Sequence, residues 1–255
     1  MRGPDVKLLL FDVDGTLVLT AGAAVRAMDE AFVEVFGVRG AFEHVSMPGR
    51  TDGAILGDAF VRALPQSQIL ADAMSAAGVH AVDGQVARFK AAYFARFSEE
   101  IQKPVSASPE GHSRHRFKGV LPGVRPLLDR LSVCDDMFLA LLTGNYEQGA
   151  RIKLEYFDLW RYFACGAFGE DGVNRHELVP VAMARARAAG CPALDSRDVI
   201  IIGDTPLDVA CARDGGVRCL AVATGGYSVD ALGAAGAEVV FETLADTEAV
   251  LHALR

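Results

Sequence analysis

The stretch FDVDGTLVLT, residues 11–20, places two carboxylates directly after an apolar run. Asp12 and Asp14 stand two positions apart, and Gly15 and Thr16 follow at once. A carboxylate that attacks phosphorus forms an acyl phosphate, which divides one difficult displacement into two easier ones. A second carboxylate can protonate the leaving alcohol and then accept a proton from the attacking water. The pair therefore predicts covalent phosphoryl chemistry, because one aspartate alone cannot fill both roles.

Polar residues also follow two later apolar runs. Thr143, Gly144 and Asn145 come after MFLALL, and Asp204 and Asp208 come at and beyond the end of VIIIG. A single aspartate at a strand end is usually a helix N-cap or a turn residue, but four aspartates and a threonine after three strands are not explained in that way. Acids held close together repel one another unless a cation binds them, and oxygen ligands favour a hard ion such as Mg²⁺. The pattern predicts a Mg²⁺ site suited to phosphate chemistry.

The apolar runs that precede these residues are predicted to be strands of one sheet. KLLLF, MFLALL, VIIIG, RCLAVAT and AEVVF have the length of strands buried on both faces, and YFACGAF is a candidate for one more. Helical stretches lie between them, so strands and helices alternate along the chain. This alternation predicts an α/β fold with a doubly wound parallel sheet, in which ligands bind outside the carboxyl ends of the strands.

An inserted helical lobe is predicted after the first strand. Residues 18–117 contain no convincing strand, but apolar side chains recur there at helical spacing. One such face contains Val25, Met28, Phe32, Val35 and Phe36, and another contains Val86, Phe89, Tyr93, Phe94, Phe97 and Ile101. We therefore predict a catalytic core of residues 1–17 and 118–255 and an α-helical cap domain of residues 18–117, which ends in a return linker at residues 103–117.

Histidines and cysteines are not predicted to form a further metal site. His112 and His115 lie in the return linker, without acidic or cysteine partners at the spacing of metal ligands. The five cysteines form no CxxC pair and are odd in number. They are predicted to be reduced and mostly buried.

The composition indicates a globular protein that acts on small molecules. Of the 255 residues, 51% are hydrophobic and 23% are charged, and the net charge is −8. Lysine and arginine do not cluster in long runs, which argues against nucleic acid or an anionic membrane as the partner. The apolar runs are too short for a signal peptide or a membrane span. We expect a cytoplasmic protein, and its oligomeric state is left open.

The motifs together resemble those of the haloacid dehalogenase superfamily of aspartate-nucleophile phosphohydrolases. DVDGT is similar to the first motif of that family, LLTGN to the second and IIGDTPLDVACAR to the fourth, and they occur in the family's order. The spacing resembles the subgroup with a helical cap inserted directly after the first motif, which includes phosphoglycolate phosphatase-like enzymes and β-phosphoglucomutase. The resemblance covers the whole chain and implies a Rossmann-like core that carries this cap.

The resemblance also implies a role for each motif residue. Asp12 would be the nucleophile, and Asp14 the general acid and base, with its backbone carbonyl on the metal. Thr143 would hold a phosphoryl oxygen. Asp204 would be a further Mg²⁺ ligand, with Asp208 supporting that shell or reaching the ion, so the expected metal-binding residues are Asp12, Asp14, Asp204 and Asp208. The residues expected to bind the substrate are Gly15, Thr16, Arg50, Thr51, Gly144 and Asn145.

The third motif departs from the commonest pattern of the family. A lysine usually precedes the helix that leads to the fourth motif, whereas EDGVNRHELVP offers Arg175. An arginine can pair with the nucleophile and with the transferring phosphoryl group, and it can do so through two nitrogens. Lys153 is the competing candidate, but its helix position after the second motif favours a solvated surface side chain. We therefore predict Arg175 as the catalytic cation.

The predicted cap contains the segment MPGRTDGAI, residues 47–55. Its Pro-Gly turn projects Arg50, Thr51 and Asp52 ahead of an amphipathic helix. Thr51 or Asp52 could simply cap that helix, with Arg50 at the surface. The resemblance instead implies a substrate-specificity loop that closes over the site, in which Arg50 would meet a carboxylate or a second phosphate of the substrate.

The function predicted from these residues is that of a Mg²⁺-dependent phosphatase of a small phosphorylated metabolite. A phosphomutase of the β-phosphoglucomutase type would use the same phosphoenzyme, but no histidine or lysine beside MPGRTD offers the base that it needs in the cap. A non-catalytic binding protein on the same fold is the third hypothesis, and the intact set of acids argues against it. Asp14 favours phosphoryl transfer over dehalogenation, because a halide leaving group needs no proton.

Overall fold

The computed structural model describes residues 6–75, 79–105, 117–192 and 195–255. The chain divides into two compact units. The first comprises Met1–Leu19, Pro48–Asp52 and Gly119–Arg255, and the second comprises Thr20–Met47 and Gly53–Lys118. The segment Pro48–Asp52 thus belongs with the first unit, although the sequence assigns it to the cap. His112 and His115, with the rest of the linker from 106 to 116, lie outside the described residues.

Within the described residues, six strands form a parallel sheet in the first unit. In chain order the strands are β1 Lys7–Phe11, β2 Val18–Thr20, β3 Lys118–Val120, β4 Met137–Leu142, β5 Gly166–Ala167, β6 Val199–Gly203, β7 Arg218–Val222 and β8 Val239–Phe241. The order across the sheet is β5-β4-β1-β6-β7-β8, and every neighbouring pair is parallel. The predicted parallel sheet is confirmed, including the short strand expected within YFACGAF.

Helices connect these strands and also form the second unit. In chain order they are α1 Ala23–Phe36, α2 Asp52–Ala63, α3 Gln68–Ser75, α4 Val79–Glu100, α5 Val124–Leu131, α6 Glu147–Tyr156, α7 Leu178–Ala188, α8 Pro206–Gly215, α9 Val229–Ala234 and α10 Thr247–Ala253. Short 3₁₀ segments occur at Leu64–Gln66, Trp160–Tyr162, Arg175–Glu177 and Ser196–Asp198. From α5 onward, helices alternate with the strands of the large sheet. In the described part of the chain, none of the helices is long and apolar enough to cross a membrane.

The central strand β1 is buried on both of its faces. Leu9 lies opposite Leu139 of β4 and Ile200 of β6, and it packs in the cluster that contains the buried leucines of α5. Leu8 and Leu10 point to the other face and join the cluster that contains the buried side chains of α7. Full burial of such a side chain stabilises the fold by about 1.5–3 kcal/mol. This packing holds the carboxyl end of β1, and hence the residues that follow it, in a fixed place.

The second unit has an aromatic core between its helices. Phe32 of α1 packs edge to face against Phe89 of α4, with ring centroids 6.1 Å apart, and also contacts Phe36 and Phe60. Both predicted aromatic stripes contribute to this core. Their buried members are Met28, Phe32, Val35, Phe36, Phe89, Tyr93, Phe97 and Ile101, while Val25, Val86 and Phe94 are half-buried. The stripes are therefore packing surfaces, as predicted.

The small sheet of β2 and β3 is not among the predicted elements. Each strand has only three residues, which is too short for a periodic pattern to be visible in the sequence. The two strands lie at the two borders of the segment predicted as a cap.

The five cysteines are free, as predicted. Cys191, Cys211 and Cys219 are buried, and the other two are half-buried.

Candidate active site

The turn after β1 places Asp12 and Asp14 at the carboxyl edge of the sheet. The backbone N–H of Asp12 continues the sheet by donating to the carbonyl of Ile202 at 2.9 Å. The chain then turns at Gly15, which has a φ of +83° and whose N–H donates to Val18 at 3.0 Å. A Cβ atom on Gly15 would overlap the Asp204 carboxylate. Glycine is thus required here both by the backbone conformation and by the close approach of a second acid.

Three carboxylates converge at this edge from the ends of two adjacent strands. The three residues are Asp12, Asp204 and Asp208, and all three side chains are buried. Each contributes one carboxylate oxygen to a group of three oxygens that lie within 4.8 Å of one another. We call these three residues the buried acidic cluster. Thr16 Oγ1 donates to Asp204 Oδ1 at 3.2 Å. The observed cluster follows from the parallel order of β1 and β6, because neighbouring parallel strands end at the same edge.

Asp208 is held by the first turn of its own helix. Its Oδ2 accepts hydrogen bonds from the Thr205 backbone N–H at 3.0 Å and from Thr205 Oγ1 at 2.6 Å. Thr205 Oγ1 in turn accepts the Asp208 N–H, which completes a capping box at the start of α8. The capping interaction leaves the second carboxylate oxygen of Asp208, Oδ1, directed to Arg175.

Arg175 is the cation that pairs with the buried acidic cluster. Its Nη2 lies 3.0 Å from Asp12 Oδ1 and also contacts Asp208 Oδ1. The guanidinium is further fixed by hydrogen bonds to the carbonyls of Gly49 and Leu142, each at 3.3 Å. The arginine side chain is only 7% exposed. The pairing of Arg175 with Asp12 that the sequence predicts is therefore present in the structure.

The charges of this cluster do not balance within the protein. Burial raises the pKa of Asp12 to about 6, although the Arg175 guanidinium opposes that rise. Burial, followed by repulsion from Asp12, likewise raises the pKa of Asp204 above its usual range. Three buried carboxylates face one guanidinium, and their oxygen atoms are the donor type that a hard divalent cation prefers. The residues present therefore fit a hard divalent cation, the class to which Mg²⁺ belongs.

Asp14 lies in a different polar group, which we call the Asp14 group and which also contains Asn145 and Lys153. Lys153 Nζ is 2.5 Å from Asp14 Oδ2 and contacts Asn145 Oδ1. Asn145 Nδ2 donates to Asp14 Oδ2 and to Thr143 Oγ1, both at 2.8 Å. The prediction that Lys153 is a solvated surface side chain is wrong, because the side chain is 3% exposed. The helix α6 turns it inward beside the buried Leu154.

Residues 50–52 are bonded to the loops of the first unit. The Asp52 N–H donates to the Gly144 carbonyl at 2.7 Å, and Asp52 Oδ2 accepts the Tyr146 N–H at 2.8 Å. Thr51 Oγ1 donates to the Val173 carbonyl at 3.2 Å. Gly144 has no room for a side chain, because a Cβ atom there would overlap the carbonyl of Arg50. The sequence does not predict this docking.

Asp52 is a buried acid that the sequence suggests only as a cap of its own helix. Its observed hydrogen bond goes instead to Tyr146, the residue at the start of α6. Burial raises the pKa of Asp52 to about 7, although the positive charge of Lys153 acts to lower it. Asp52 therefore belongs electrostatically with the Asp14 group. Its partner lies more than ninety positions away in the chain, so local sequence patterns carry no signal for this contact.

The structure thus brings the predicted residues together in one region of the first unit. Asp12, Asp204, Asp208, Arg175, Thr16 and Gly15 form its buried part, and Asp14, Thr143 and Asn145 lie beside it with Lys153. Thr51 is joined to this region through its hydroxyl and Gly144 through its backbone carbonyl, and Arg50 is half-buried in the same segment as Thr51. A parallel sheet with a buried acidic cluster at its carboxyl edge is typical of α/β proteins that bind ligands outside the ends of their strands.

Residues 6–216 match the family described as haloacid dehalogenase-like hydrolase. The probable phosphatase IndB of Dickeya dadantii is 28% identical over 251 residues, which cover 97% of this chain and 94% of that protein. A phosphoglycolate phosphatase of Pseudomonas fluorescens is 27% identical over 226 residues, which cover 86% of this chain and 70% of that protein. The crystal structure of a predicted phosphoglycolate phosphatase from Haemophilus somnus has the same fold, with a TM-score of 0.63, 15% identity and coverage of 97% and 98%.

The chain belongs to the haloacid dehalogenase-like hydrolase family. The family and the enzyme class that the sequence predicts, a haloacid dehalogenase-like phosphatase, are therefore confirmed. The roles of the individual residues stay predictions.

Proposed function

We propose that the protein is a Mg²⁺-dependent phosphatase that hydrolyses a small phosphorylated metabolite through an aspartyl phosphate on Asp12. The observation that carries this proposal is the buried acidic cluster paired with Arg175. Asp12 in this cluster is buried and paired with the Arg175 guanidinium, whereas the Asp14 side chain is 43% exposed. The geometry thus supports one carboxylate that attacks and another that exchanges protons.

In the first step, a carboxylate oxygen of Asp12 forms a bond to phosphorus as the bond from phosphorus to the leaving oxygen breaks. The leaving oxygen keeps the electron pair and takes a proton from Asp14. In the second step, Asp14 accepts a proton from water as the water oxygen bonds to phosphorus, and the bond between phosphorus and Asp12 breaks. Both carboxyl groups return to their starting states, and the products are an alcohol and inorganic phosphate.

Asp12, Asp204 and Asp208 would hold the Mg²⁺ ion through their side chains, with the backbone carbonyl of Asp14 as a further ligand. The bound ion would neutralise negative charge on the phosphoryl group. Arg175 supplies positive charge from the protein itself to the same carboxylate that attacks. Thr143, Gly15 and Thr16 would surround the phosphoryl oxygens.

The substrate is expected to be small, and the names of the relatives make 2-phosphoglycolate the first compound to test. Arg50 would recognise a carboxylate or a second phosphate on it. The phosphomutase alternative is not favoured, because the segment Pro48–Asp52 lacks a histidine or lysine that could act as a base toward a sugar.

The proposal is tested by measuring phosphate release from a panel of phosphorylated metabolites that includes 2-phosphoglycolate. Activity should require Mg²⁺, should disappear with excess chelator and should return when Mg²⁺ is restored. Ca²⁺ should inhibit, because it prefers more ligands and a looser geometry than Mg²⁺. Full activity in excess chelator would remove the metal from the mechanism, and release of a sugar phosphate isomer instead of inorganic phosphate would replace the phosphatase by a mutase.

A further inference from the structure

Lys153 is a buried ammonium group in a protein that already has a cation at its buried acidic cluster. The side chain is 3% exposed and lies on the inward face of α6 with Gly149, Ala150 and Leu154. Burial of an ammonium group is costly unless charged and hydrogen-bonding partners compensate for the lost water. The partners here include Asp14 Oδ2 and Asn145 Oδ1. A surface role would not require such burial, so the position indicates a function linked to Asp14.

The hydrogen bonds of Asn145 are committed to the protein. Lys153 can only donate, so the amide oxygen of Asn145 must face it and the amide nitrogen must face away. The two N–H groups of that nitrogen donate to Asp14 Oδ2 and to Thr143 Oγ1. No N–H of the side chain is left to bind a substrate in this arrangement. In this arrangement Asn145 links Lys153, Asp14 and Thr143, and its substrate-binding role stays a prediction.

The two oxygens of Asp14 have different surroundings. Oδ2 receives hydrogen bonds from both Lys153 and Asn145. Among the described residues, no group donates to Oδ1. Two donors on one oxygen fix the rotation of the carboxyl group about its Cβ–Cγ bond. The other oxygen is left with a defined direction and access to solvent, since the Asp14 side chain is 43% exposed.

We propose that Lys153 and Asn145 are positioning residues that orient Asp14, so that Oδ1 delivers the proton to the leaving oxygen. This inference rests on the proposed phosphatase function, in which Asp14 is the general acid. Arg175 and Lys153 then serve different carboxylates: the arginine pairs with the attacking Asp12, and the lysine orients the proton donor. The two side chains are thus not alternatives for one role.

The test compares two substrates that differ in their need for a proton. p-Nitrophenolate leaves without protonation, whereas an alkoxide such as that of glycerol 2-phosphate needs a proton from a general acid. In Lys153→Met, kcat/KM for glycerol 2-phosphate should fall by about 10²-fold, in the range of general acid catalysis, while kcat/KM for p-nitrophenyl phosphate should change by less than about threefold. The quantity kcat/KM is chosen because it reports the step that forms the phosphoenzyme.

A second readout follows from the role of Asp14 in the hydrolysis of the phosphoenzyme. With p-nitrophenyl phosphate, Lys153→Met should release a burst of p-nitrophenol close to one equivalent per enzyme, because formation of the phosphoenzyme stays fast and its hydrolysis becomes slow. Lys153→Arg should restore part of the lost activity toward glycerol 2-phosphate, because the charge returns.

Arg151→Met is the matched control. Arg151 lies on the same helix, is 49% exposed and pairs with Glu155 at 2.7 Å. Its removal should leave the ratio of the two kcat/KM values unchanged. If Lys153→Met fails to fold by circular dichroism, Asn145→Ala decides in its place. Asn145→Ala keeps the ion pair of Lys153 with Asp14. It should therefore lower kcat/KM for glycerol 2-phosphate selectively, but by a smaller factor than Lys153→Met.

The outcomes separate this inference from the proposed function. Equal losses for both substrates in a folded variant, or no loss for either, would overturn the positioning role while wild-type phosphatase activity stands. A wild-type protein that hydrolyses neither substrate with Mg²⁺, nor any compound of the metabolite panel, would overturn the function and the inference with it.

Discussion

Asp12 and Asp14 are separated by a single residue, yet the structure places them in opposite environments. Asp12 is 5% exposed, carries a pKa raised by burial to about 6 and shares its surroundings with two more carboxylates and the guanidinium of Arg175. Asp14 is 43% exposed, and one of its oxygens is bonded by an ammonium group and an amide. The two carboxyl groups are thus distinguished by their neighbours and not by their chemistry.

This difference matches the separate demands of attack and proton transfer. A nucleophilic oxygen benefits from the loss of water and from fixed positive charge at the place where the phosphoryl group arrives. A proton donor must reach the leaving oxygen and later the attacking water, so it needs access and direction. A strand end followed by a glycine turn provides both environments within three residues.

The largest expected effect is that of removing the attacking carboxylate. Asp12→Asn should lower kcat by about 10⁴-fold or more, because the amide keeps the shape of the side chain but cannot form the acyl phosphate. The measurement is phosphate release with Mg²⁺, together with circular dichroism to verify the fold. Asp135→Asn, an exposed change outside the site, is the control. Near-normal turnover in folded Asp12→Asn would contradict the assignment of the two carboxylates.

A smaller loss is expected from the cation of the buried acidic cluster. Arg175→Ala should lower kcat by about 10²–10³-fold, as found when one electrostatic stabiliser is removed. Arg175→Lys should recover part of this loss, because the charge returns without the planar fork of donors. Unlike the Lys153 variants, both should affect glycerol 2-phosphate and p-nitrophenyl phosphate alike. A loss that depends on the leaving group would place Arg175 with the proton donor instead.

Thr16 tests whether the buried acidic cluster is organised to hold a metal. Its hydroxyl donates to Asp204, and the side chain is fully buried. Thr16→Val keeps the size of the side chain but removes this bond, so the Mg²⁺ concentration for half-maximal activity should rise about tenfold or more. The activity is measured across a Mg²⁺ titration at saturating substrate. A raised KM for p-nitrophenyl phosphate at unchanged Mg²⁺ dependence would assign Thr16 to the substrate.

The smallest expected effect is that of Asp52→Asn on the pH dependence of the free energy of unfolding. Its pKa is raised by burial to about 7 from an ordinary value near 3.8, so the folded state holds a proton that the unfolded state loses between about pH 4 and pH 7. Stability from this group is therefore full below pH 4 and declines as the pH rises toward 7. Asp52→Asn should remove that decline, gaining up to about 1.4 kcal/mol over wild type for each pH unit in this window.

Urea unfolding at several pH values measures this difference. Asp198→Asn provides a control of opposite sign, because the hydrogen bond from Lys7 holds the pKa of Asp198 below its usual range. The stability that Asp198 contributes is present above pH 4 and is lost on acidification. The free energy of unfolding of Asp198→Asn should therefore fall below that of wild type as the pH rises. A constant difference between wild type and Asp52→Asn at every pH would show that Asp52 does not hold a proton.

The central sheet and its acids could be predicted because their signals are local. KLLLF and VIIIG are apolar runs of the length typical of buried strands, and each is followed at once by aspartate. Once the strands are parallel and adjacent, their carboxyl ends must meet, which brings Asp12 to Asp204. The pairing of Arg175 with Asp12 was predictable only through the resemblance of the third motif, because charge alone does not distinguish Arg175 from Lys153.

The buried position of Lys153 does have a signal in the sequence. Gly149, Ala150, Lys153 and Leu154 recur at the spacing of one helical face, and all are buried. A lysine on the apolar face of a helix that starts just after Asn145 points toward the site and not toward water. The hydrogen bond from the Tyr146 backbone N–H to the Asp52 carboxylate has no comparable signal, because the two residues lie far apart in the chain.

The order of strands across the sheet also affects how the chain folds during its synthesis. β1 lies between β4 and β6, which begin only at Met137 and Val199. During synthesis the apolar KLLLF segment cannot pair on both sides until β6 has left the ribosome, and parallel pairing over such distances makes folding slow. The nascent chain is therefore exposed to aggregation and to chaperones for longer than a protein whose first strand pairs with its second. The buried acidic cluster cannot assemble before β6 and the first turn of α8 are made, so catalytic competence cannot appear until Asp208 has been synthesised.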